Sequence, residues 1–160
     1  MNKQQVSKLC MVMAVVASST EFGLDEAIAA QRSRADVEEG GQVLTRAIRA
    51  VESQGRDGAV GDEGRAIGSY QIHYAYWKDS GVLGRWEQCR DRQYAERVVR
   101  AYWQRYCPKA LATGDSKTLA RVHHGGPSGP LNPKTLGYWR KVHSAIRAES
   151  NDESKGTQGV

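Results

Sequence analysis

The chain has 160 residues with 39% hydrophobic residues and a formal net charge of +5, which predicts one domain of ordinary size. No apolar run approaches the roughly 18 residues needed to span a bilayer, so stable membrane insertion is not expected. Residues 41–148 hold eighteen lysines and arginines against nine acids. This excess favours an anionic polymer as partner, whether nucleic acid, anionic membrane or acidic cell wall, although solubility alone also explains it.

The first 20 residues have the character of a secretory signal peptide. Lys3 and Lys8 precede a short apolar run over residues 9–17, and small residues follow it. A basic start, an apolar centre and a small-residue end are what a cleaved export signal requires. The sequence therefore predicts a secreted or periplasmic protein, with an amphipathic or disordered leader as the alternative.

Composition shifts divide the rest of the chain into three parts. Residues 21–40 are polar and acidic without a sustained apolar stripe, and we interpret them as a linker. Residues 41–148 contain the patterned segments and are predicted to form the folded domain. Residues 149–160 are polar and are predicted to be disordered.

The folded domain begins with an amphipathic helix, predicted from Gln42 to Ser53. Residues 55–68 follow and contain five glycines, which fits the tight turns of a small hairpin better than a helix. Residues 69–72 are predicted to be a short strand or an extended entry into the next helix. The candidate core face of the first helix consists of Val43, Leu44, Ala47, Ile48 and Val51.

Further helices follow the hairpin. They are predicted at Tyr74–Ser80, Asp91–Tyr106, from Asp115 or Ser116 to His123, and from Thr135 to about Ala148. Tyrosines or valines recur every fourth residue along the second of these, and Pro108 is expected to mark its end. The predicted fold class is α+β and mostly α, with a small β-hairpin beside a helical bundle. Such a domain tends to place a cleft between hairpin and helices.

Carboxyl side chains lie in two different local environments of this domain. Glu52 is at the end of the first helix, whereas Asp62 and Glu63 lie in the glycine-rich segment. Cleavage of a glycosidic bond needs one carboxyl group that stays protonated and one that stays ionised. The alternatives are a solvated glutamate at a helix end and an ordinary turn aspartate.

Other polar residues are candidates for substrate contact. Tyr70 and Gln71 follow the hairpin, and the Gln71 amide offers both a donor and an acceptor to an N-acetyl group or to the hairpin itself. His123 and His124 precede Gly125 in a loop that is rich in glycine and proline, and together they are candidates for a sugar site. The alternative for the histidines is a capped helix end with satisfied imidazoles.

The cysteines give no metal signature. Cys10 falls in the predicted signal, which leaves Cys89 and Cys107 as two thiols or one disulfide. No zinc-spaced set of cysteine and histidine is present. We therefore expect no metal and no cofactor, and we find no nucleic-acid reader motif.

Several segments in order resemble the invertebrate-type lysozymes, also called the destabilase family. The resemblance covers residues 42–148 and is carried by VES, by an aspartate followed by GSYQI and AYWKDSG, by VVRAYWQRY, and by ARVHHGGP followed by NPKTLGYWRKV. It implies a lysozyme-like fold and hydrolysis of the β-1,4 bond between N-acetylmuramic acid and N-acetylglucosamine in peptidoglycan. By the same resemblance Glu52 is the general acid and Asp62 the second carboxylate, as nucleophile or cation stabiliser.

The chain also departs from the family pattern. The segment between Asp62 and Gly68 is one residue shorter than in the family, which makes Glu63 a rival for the second carboxylate. His124 stands where the family has asparagine. The low cysteine content, together with the signal-like start, suggests a bacterial relative. Two other functions stay open: a lytic transglycosylase that uses Glu52 alone, and an inactive wall-binding module. Some members of the family are credited with isopeptidase activity, but we assign no residues to it and do not predict it.

Overall fold

The computed structural model describes the backbone of residues 3–156 and the side chains of residues 26–151. The chain separates into two compact units, Met1–Glu38 and Glu39–Val160, and every candidate site residue belongs to the second. Across the part of the chain that is described, no helix is both long enough and apolar enough to cross a membrane. The predicted signal peptide and most of the predicted disordered tail lie outside the described side chains.

Helix α1 spans Lys3–Ser53 and so begins far before the predicted start near Gln42. The described side chains of residues 26–40 are nearly all exposed, as expected for a segment without an apolar stripe. The lack of an apolar stripe predicts that this segment does not pack against other elements. It does not exclude a helix, because residues 21–40 contain no proline and many good helix formers. Their role as a linker stays a prediction.

The last turns of α1 pack into the second unit. Leu44, Ala47 and Ile48 are completely buried there. The helix stops at Gln54 and Gly55, which have φ of +56° and +77°, a region in which glycine is unstrained. The Ser53 hydroxyl then donates a hydrogen bond of 2.9 Å to the Ser69 carbonyl, which joins the helix end to the chain beyond the hairpin.

A three-stranded antiparallel sheet follows, in the order β1-β2-β3. The strands are Val60–Gly61, Ala66–Ile67 and Ile72–His73. Val60 pairs with Ile67, and Ile67 in turn pairs with Ile72. The predicted hairpin is confirmed, and the extended segment after it contributes a third strand.

Five more helices complete the described fold, and the predicted α+β, mostly helical class is confirmed. They are α2 Tyr74–Ser80, α3 Arg92–Tyr106, α4 Pro108–Thr113, α5 Ser116–Gly125 and α6 Thr135–Gly156. Asp91 caps α3 and Asp115 caps α5 by accepting a backbone N–H of the first turn, as Asp does at helix starts. Short 3₁₀ segments occur at Asp62–Gly64, Trp86–Arg90 and Gly129–Leu131.

The predicted helix end at Tyr106 is confirmed, but Pro108 then starts a further helix, α4, because proline at the first helical position loses no hydrogen bond. One predicted helix end differs from the structure. Helix α6 continues to Gly156, beyond the predicted end at Ala148. Glu149 explains part of this extension, since its carboxylate accepts a hydrogen bond of 3.3 Å from Arg46 of α1.

The core combines aliphatic helix faces with aromatic rings, and two of its tryptophans donate hydrogen bonds to backbone carbonyls. The Trp103 indole donates to the Leu119 carbonyl at 3.0 Å, and the Trp86 indole donates to the Ile72 carbonyl at 2.9 Å. Cys89 is buried, Cys107 is partly buried, and both are free thiols. The unit therefore packs without the disulfide that the sequence left open.

Candidate functional site

A cleft of about 440 Å³ lies between the small sheet and helices α2, α3 and α5. Glu52 and Asp62 both line it, so the fold brings together the two carboxyl groups that the sequence singled out. The other residues of its wall are Ala66, Gln71, Ile72, His73, Ala75, Tyr76, Asp79, Tyr102, His123, His124 and Gly126.

Glu52 occupies the last turn of α1, and its side chain is only 19% exposed. Burial raises the pKa of this carboxyl group, while Tyr138 and Lys141 act in the opposite direction. Desolvation disfavours the charged form of an acid, and it is the larger effect here. Glu52 therefore holds its proton to a higher pH than an ordinary glutamate, as a general acid requires.

His123 forms the wall beside Glu52. Its Nε2 atom lies 3.8 Å from Glu52 Oε1, and its Nδ1 atom lies 3.2 Å from the Tyr76 hydroxyl. Burial, helped by His124, lowers the pKa of His123 to about 4, although a hydrogen bond with the Tyr70 backbone opposes this. The imidazole is then neutral near pH 7, so it excludes water from Glu52 without forming an ion pair with it.

Asp62 lies at the sheet side of the cleft, and its environment is the opposite one. Its side chain is 45% exposed, Oδ1 accepts a hydrogen bond of 2.8 Å from Arg65, and Oδ2 lies 3.5 Å from His73 Nε2. An aspartate bound to arginine in this way is anionic. The cleft thus holds one buried carboxyl group and one ion-paired carboxylate.

Glu63 is less well placed than Asp62. Its side chain is 89% exposed, its Oε2 atom lies 3.7 Å from Arg65, and it is not part of the cleft wall. Asp62 and Glu63 have φ of +49° and +56°, the left-handed region that aspartate tolerates better than glutamate. This strained turn aims the Asp62 side chain at the cleft and the Glu63 side chain at solvent.

Tyr70 and Gln71 occupy different places. Tyr70 is completely buried, and its hydroxyl donates a hydrogen bond of 3.0 Å to Glu96, which places it in the core instead of the predicted substrate site. Gln71 lines the cleft, and its amide donates 2.8 Å to the Gly68 carbonyl. A Cβ atom at Gly61 would collide with the Gln71 amide oxygen, so this side chain holds the hairpin together.

The histidine and glycine candidates also divide into residues that line the cleft and a residue that does not. His124 lines the cleft and stacks on Tyr138, with ring centroids 4.1 Å apart and planes at 5°. Gly125 is exposed outside the wall, where a Cβ atom would meet the Thr135 methyl group at 2.6 Å. The neighbouring Gly126 takes the wall position that the sequence assigned to Gly125.

Sequence reasoning missed several residues of the site. His73 and Asp79 line the cleft, and their polarity was the only signal that the sequence offered. Tyr76 and Tyr102 also line the cleft and stack with ring centroids 3.7 Å apart, and the only earlier signal was the four-residue repeat that includes Tyr102. Within the described side chains, no cluster of three or more histidine, cysteine or acidic residues is suited to a metal ion.

Comparison with known proteins places this geometry in a family. The destabilase family model matches residues 44–145. The chain is 45% identical over 84 residues to a lysozyme of Ostrea edulis, a match that covers 50% of this chain and 61% of that protein. It is 37% identical over 91 residues to invertebrate-type lysozyme 2 of Caenorhabditis elegans, covering 49% of this chain and 66% of that protein.

Solved structures show the same likeness at the level of the fold. The crystal structure of Tapes japonica lysozyme superposes with a TM-score of 0.56 and 29% sequence identity, covering 63% of this chain and 86% of that one. The lysozyme-like fold that the sequence motifs implied is thereby confirmed.

Proposed function

The chain belongs to the destabilase family, and from this premise we propose that it is a lysozyme-type glycosidase acting on peptidoglycan. Glu52 is the general acid and Asp62 is the second carboxylate in cleavage of the β-1,4 bond between N-acetylmuramic acid and N-acetylglucosamine. The observation that supports this most is the pair of unlike carboxyl groups in one cleft: Glu52 is buried with a raised pKa, and Asp62 is ion-paired and exposed.

The proposed chemistry uses this difference directly. Glu52 donates its proton to the glycosidic oxygen as the bond to the sugar carbon breaks, and the sugar ring acquires positive charge. Asp62, already anionic, meets that charge from the sheet side of the cleft, as nucleophile or stabiliser. Water completes the hydrolysis, and its proton returns to Glu52.

The substrate side of the proposal rests on charge. Residues 41–148 hold eighteen basic against nine acidic residues, which favours a negatively charged cell-wall polymer over a neutral glycan. A wall substrate also agrees with the secreted or periplasmic location that the N-terminal pattern predicts. Both the location and the wall substrate are parts of this proposal.

The test is digestion of peptidoglycan by the full chain, with the products identified by mass spectrometry. Glu52→Gln and Asp62→Asn are the test variants. Glu63→Gln is the matched control, because it removes a neighbouring carboxylate that faces solvent. We expect reducing-end muropeptides from the native chain and from the control, and a loss of at least about 100-fold in both test variants.

Other product patterns would assign a different function. Anhydro-sugar products that depend on Glu52 and survive Asp62→Asn would identify a lytic transglycosylase. Binding to peptidoglycan without any product from the native chain would identify a wall-binding module. Equal losses in Asp62→Asn and Glu63→Gln would show that the second carboxylate is not specific to Asp62.

A further inference from the structure

Tyr138 on α6 is buried in a way that neither the fold nor the two-carboxylate mechanism explains. Its side chain is only 7% exposed, and among the described residues its hydroxyl has no partner that satisfies hydrogen-bond distance and angle. Buried hydroxyl groups in folded proteins nearly always find a partner. A buried hydroxyl group without a partner, next to a candidate active-site residue, indicates a hydrogen bond that forms only at a later stage of the reaction.

The neighbourhood of this hydroxyl identifies that partner as Glu52. The Tyr138 ring stacks flat on His124, and His124 shares the cleft wall with Glu52. Burial raises the pKa of Tyr138 well above its ordinary value, and the nearby Glu52 raises it further, while Tyr138 in turn lowers the pKa of Glu52. The Tyr138 hydroxyl is therefore close enough to the Glu52 carboxyl group to interact with it, but the present geometry falls short of the distance and angle of a full hydrogen bond.

We propose, resting on the function proposed above, that Tyr138 is a positioning residue for the general acid. When Glu52 has given its proton to the departing sugar oxygen, the Tyr138 hydroxyl closes onto the new carboxylate and donates a hydrogen bond to it. The phenol keeps its own proton throughout, so the transferred proton comes from Glu52 alone. When Glu52 is protonated again, the hydroxyl returns to its unpaired state.

The charge on Glu52 explains why the bond forms at that stage. Hydrogen bonds to an ionised acceptor are shorter and roughly twice as strong as neutral ones, and catalytic hydrogen bonds are often long until the reaction proceeds. The groups that act on Glu52 from the surrounding helices are Tyr76 of α2, His123 of α5, and Tyr138 and Lys141 of α6. Of these, only Tyr138 and Lys141 favour the carboxylate, and Lys141 is exposed.

Tyr138→Phe tests the proposal because it removes one oxygen atom and keeps the ring that stacks on His124. We expect kcat on peptidoglycan to fall about tenfold with KM unchanged, since the lost bond forms only as the proton leaves. The Glu52 pKa should rise, and the alkaline limb of the rate profile should move to higher pH. The unfolding temperature should stay equal or increase, because the hydroxyl that is removed was unpaired.

The control is Tyr106→Phe, which removes the same atom from a partly exposed tyrosine outside the cleft. The Glu52 pKa is read by carbon NMR of glutamate-labelled full chain, with the signal assigned through Glu52→Gln. This titration needs no substrate, so it tests Tyr138 even if the native chain cleaves no peptidoglycan and the proposed function fails. An unchanged Glu52 titration in Tyr138→Phe, or a lower unfolding temperature with unchanged kinetics, would overturn the proposal.

Discussion

Among single residues, Glu52 is expected to reduce the stability of the fold, because burial keeps its carboxyl group protonated at pH values at which the unfolded chain is ionised. Its pKa is raised by burial, so its contribution to stability is complete below the ordinary glutamate pKa and is lost as pH rises through the folded value. Glu52→Gln removes this loss. We predict that the variant gains unfolding temperature over the native chain as pH rises above the ordinary glutamate pKa of about 4, as measured by thermal unfolding from acid to neutral pH.

A suitable control for the Glu52 experiment is Glu63→Gln, which alters an exposed carboxylate of the same type. A stability difference between Glu52→Gln and the native chain that does not vary with pH would mean that Glu52 is solvated. The proposed general acid would then lose its physical basis.

The pH dependence of the stability contributed by His123 has the opposite direction. Its pKa is lowered to about 4, so the folded chain resists a proton that the unfolded chain accepts below about pH 6.5. Stability is intact above that pH and falls as pH decreases towards the folded pKa, by up to roughly 3 kcal/mol. We predict that His123→Asn flattens this decline in acid-dependent denaturant unfolding, whatever its effect on absolute stability. His143→Asn, which removes an exposed imidazole, should keep the native slope.

Glu63 is strained in the left-handed region with φ of +56°. Glycine relieves such strain, which costs about 1–2 kcal/mol for other residues. We predict that Glu63→Gly is about 1 kcal/mol more stable than Glu63→Ala, because both remove the same charge and only glycine frees the backbone. Denaturant unfolding measures the difference, and two equal stabilities would show that the turn is unstrained.

At the scale of elements, the sheet depends on a close approach between its hairpin and the segment around Cys89. A Cβ atom at Gly68 would overlap the Cys89 backbone carbonyl, whereas one at Gly64 has nothing within 4 Å. Both glycines have positive φ, so alanine at either position is strained. We predict that Gly68→Ala costs about 1–3 kcal/mol more than Gly64→Ala, measured by denaturant unfolding, and equal costs would contradict the packing.

The elements that sequence patterns predicted well are those with both a period and a cap. Helix α3 has an apolar residue on each turn and Asp91 at its start, and α5 has Asp115 in the same position. Helix α4 was missed because a six-residue segment is too short to show a period. Its first residue, Pro108, has the same sequence signature whether it ends one helix or begins the next.

The site was predicted in part, for a different reason. Glu52 stands at the end of a predicted helix and Asp62 in a glycine-rich segment, and the cleft holds both. Tyr70 and Gln71 were predicted on the same ground, that both follow the hairpin, yet Tyr70 is buried against Glu96. The two neighbouring side chains point to different sides of a turn, so only one of them faces the cleft. Tyr138 lies 86 positions beyond Glu52 in the sequence. Only the packing of α6 beside the end of α1 could bring the two together.

For the molecule as a whole, the charge of the folded segment is the property with functional consequences. Residues 41–148 have eighteen basic minus nine acidic residues, a net +9, whereas the whole chain has only +5. The acidic residues that reduce the total lie mostly in 21–40 and in the last twelve positions. The folded segment is therefore more basic than the overall charge indicates, and under the proposed function long-range attraction should contribute to the binding of an anionic substrate.

Salt tests this electrostatic contribution. Raising NaCl from about 50 mM to about 300 mM shortens the range of exposed charges to a few ångström, so we predict that kcat/KM on peptidoglycan falls several-fold. Cleavage of a neutral N-acetylglucosamine oligomer by the same cleft should change little, because no attraction is lost. Parallel assays of the two substrates across the salt series measure the difference. Equal salt sensitivity would mean that salt acts on the enzyme itself, and the basic surface would then serve solubility alone.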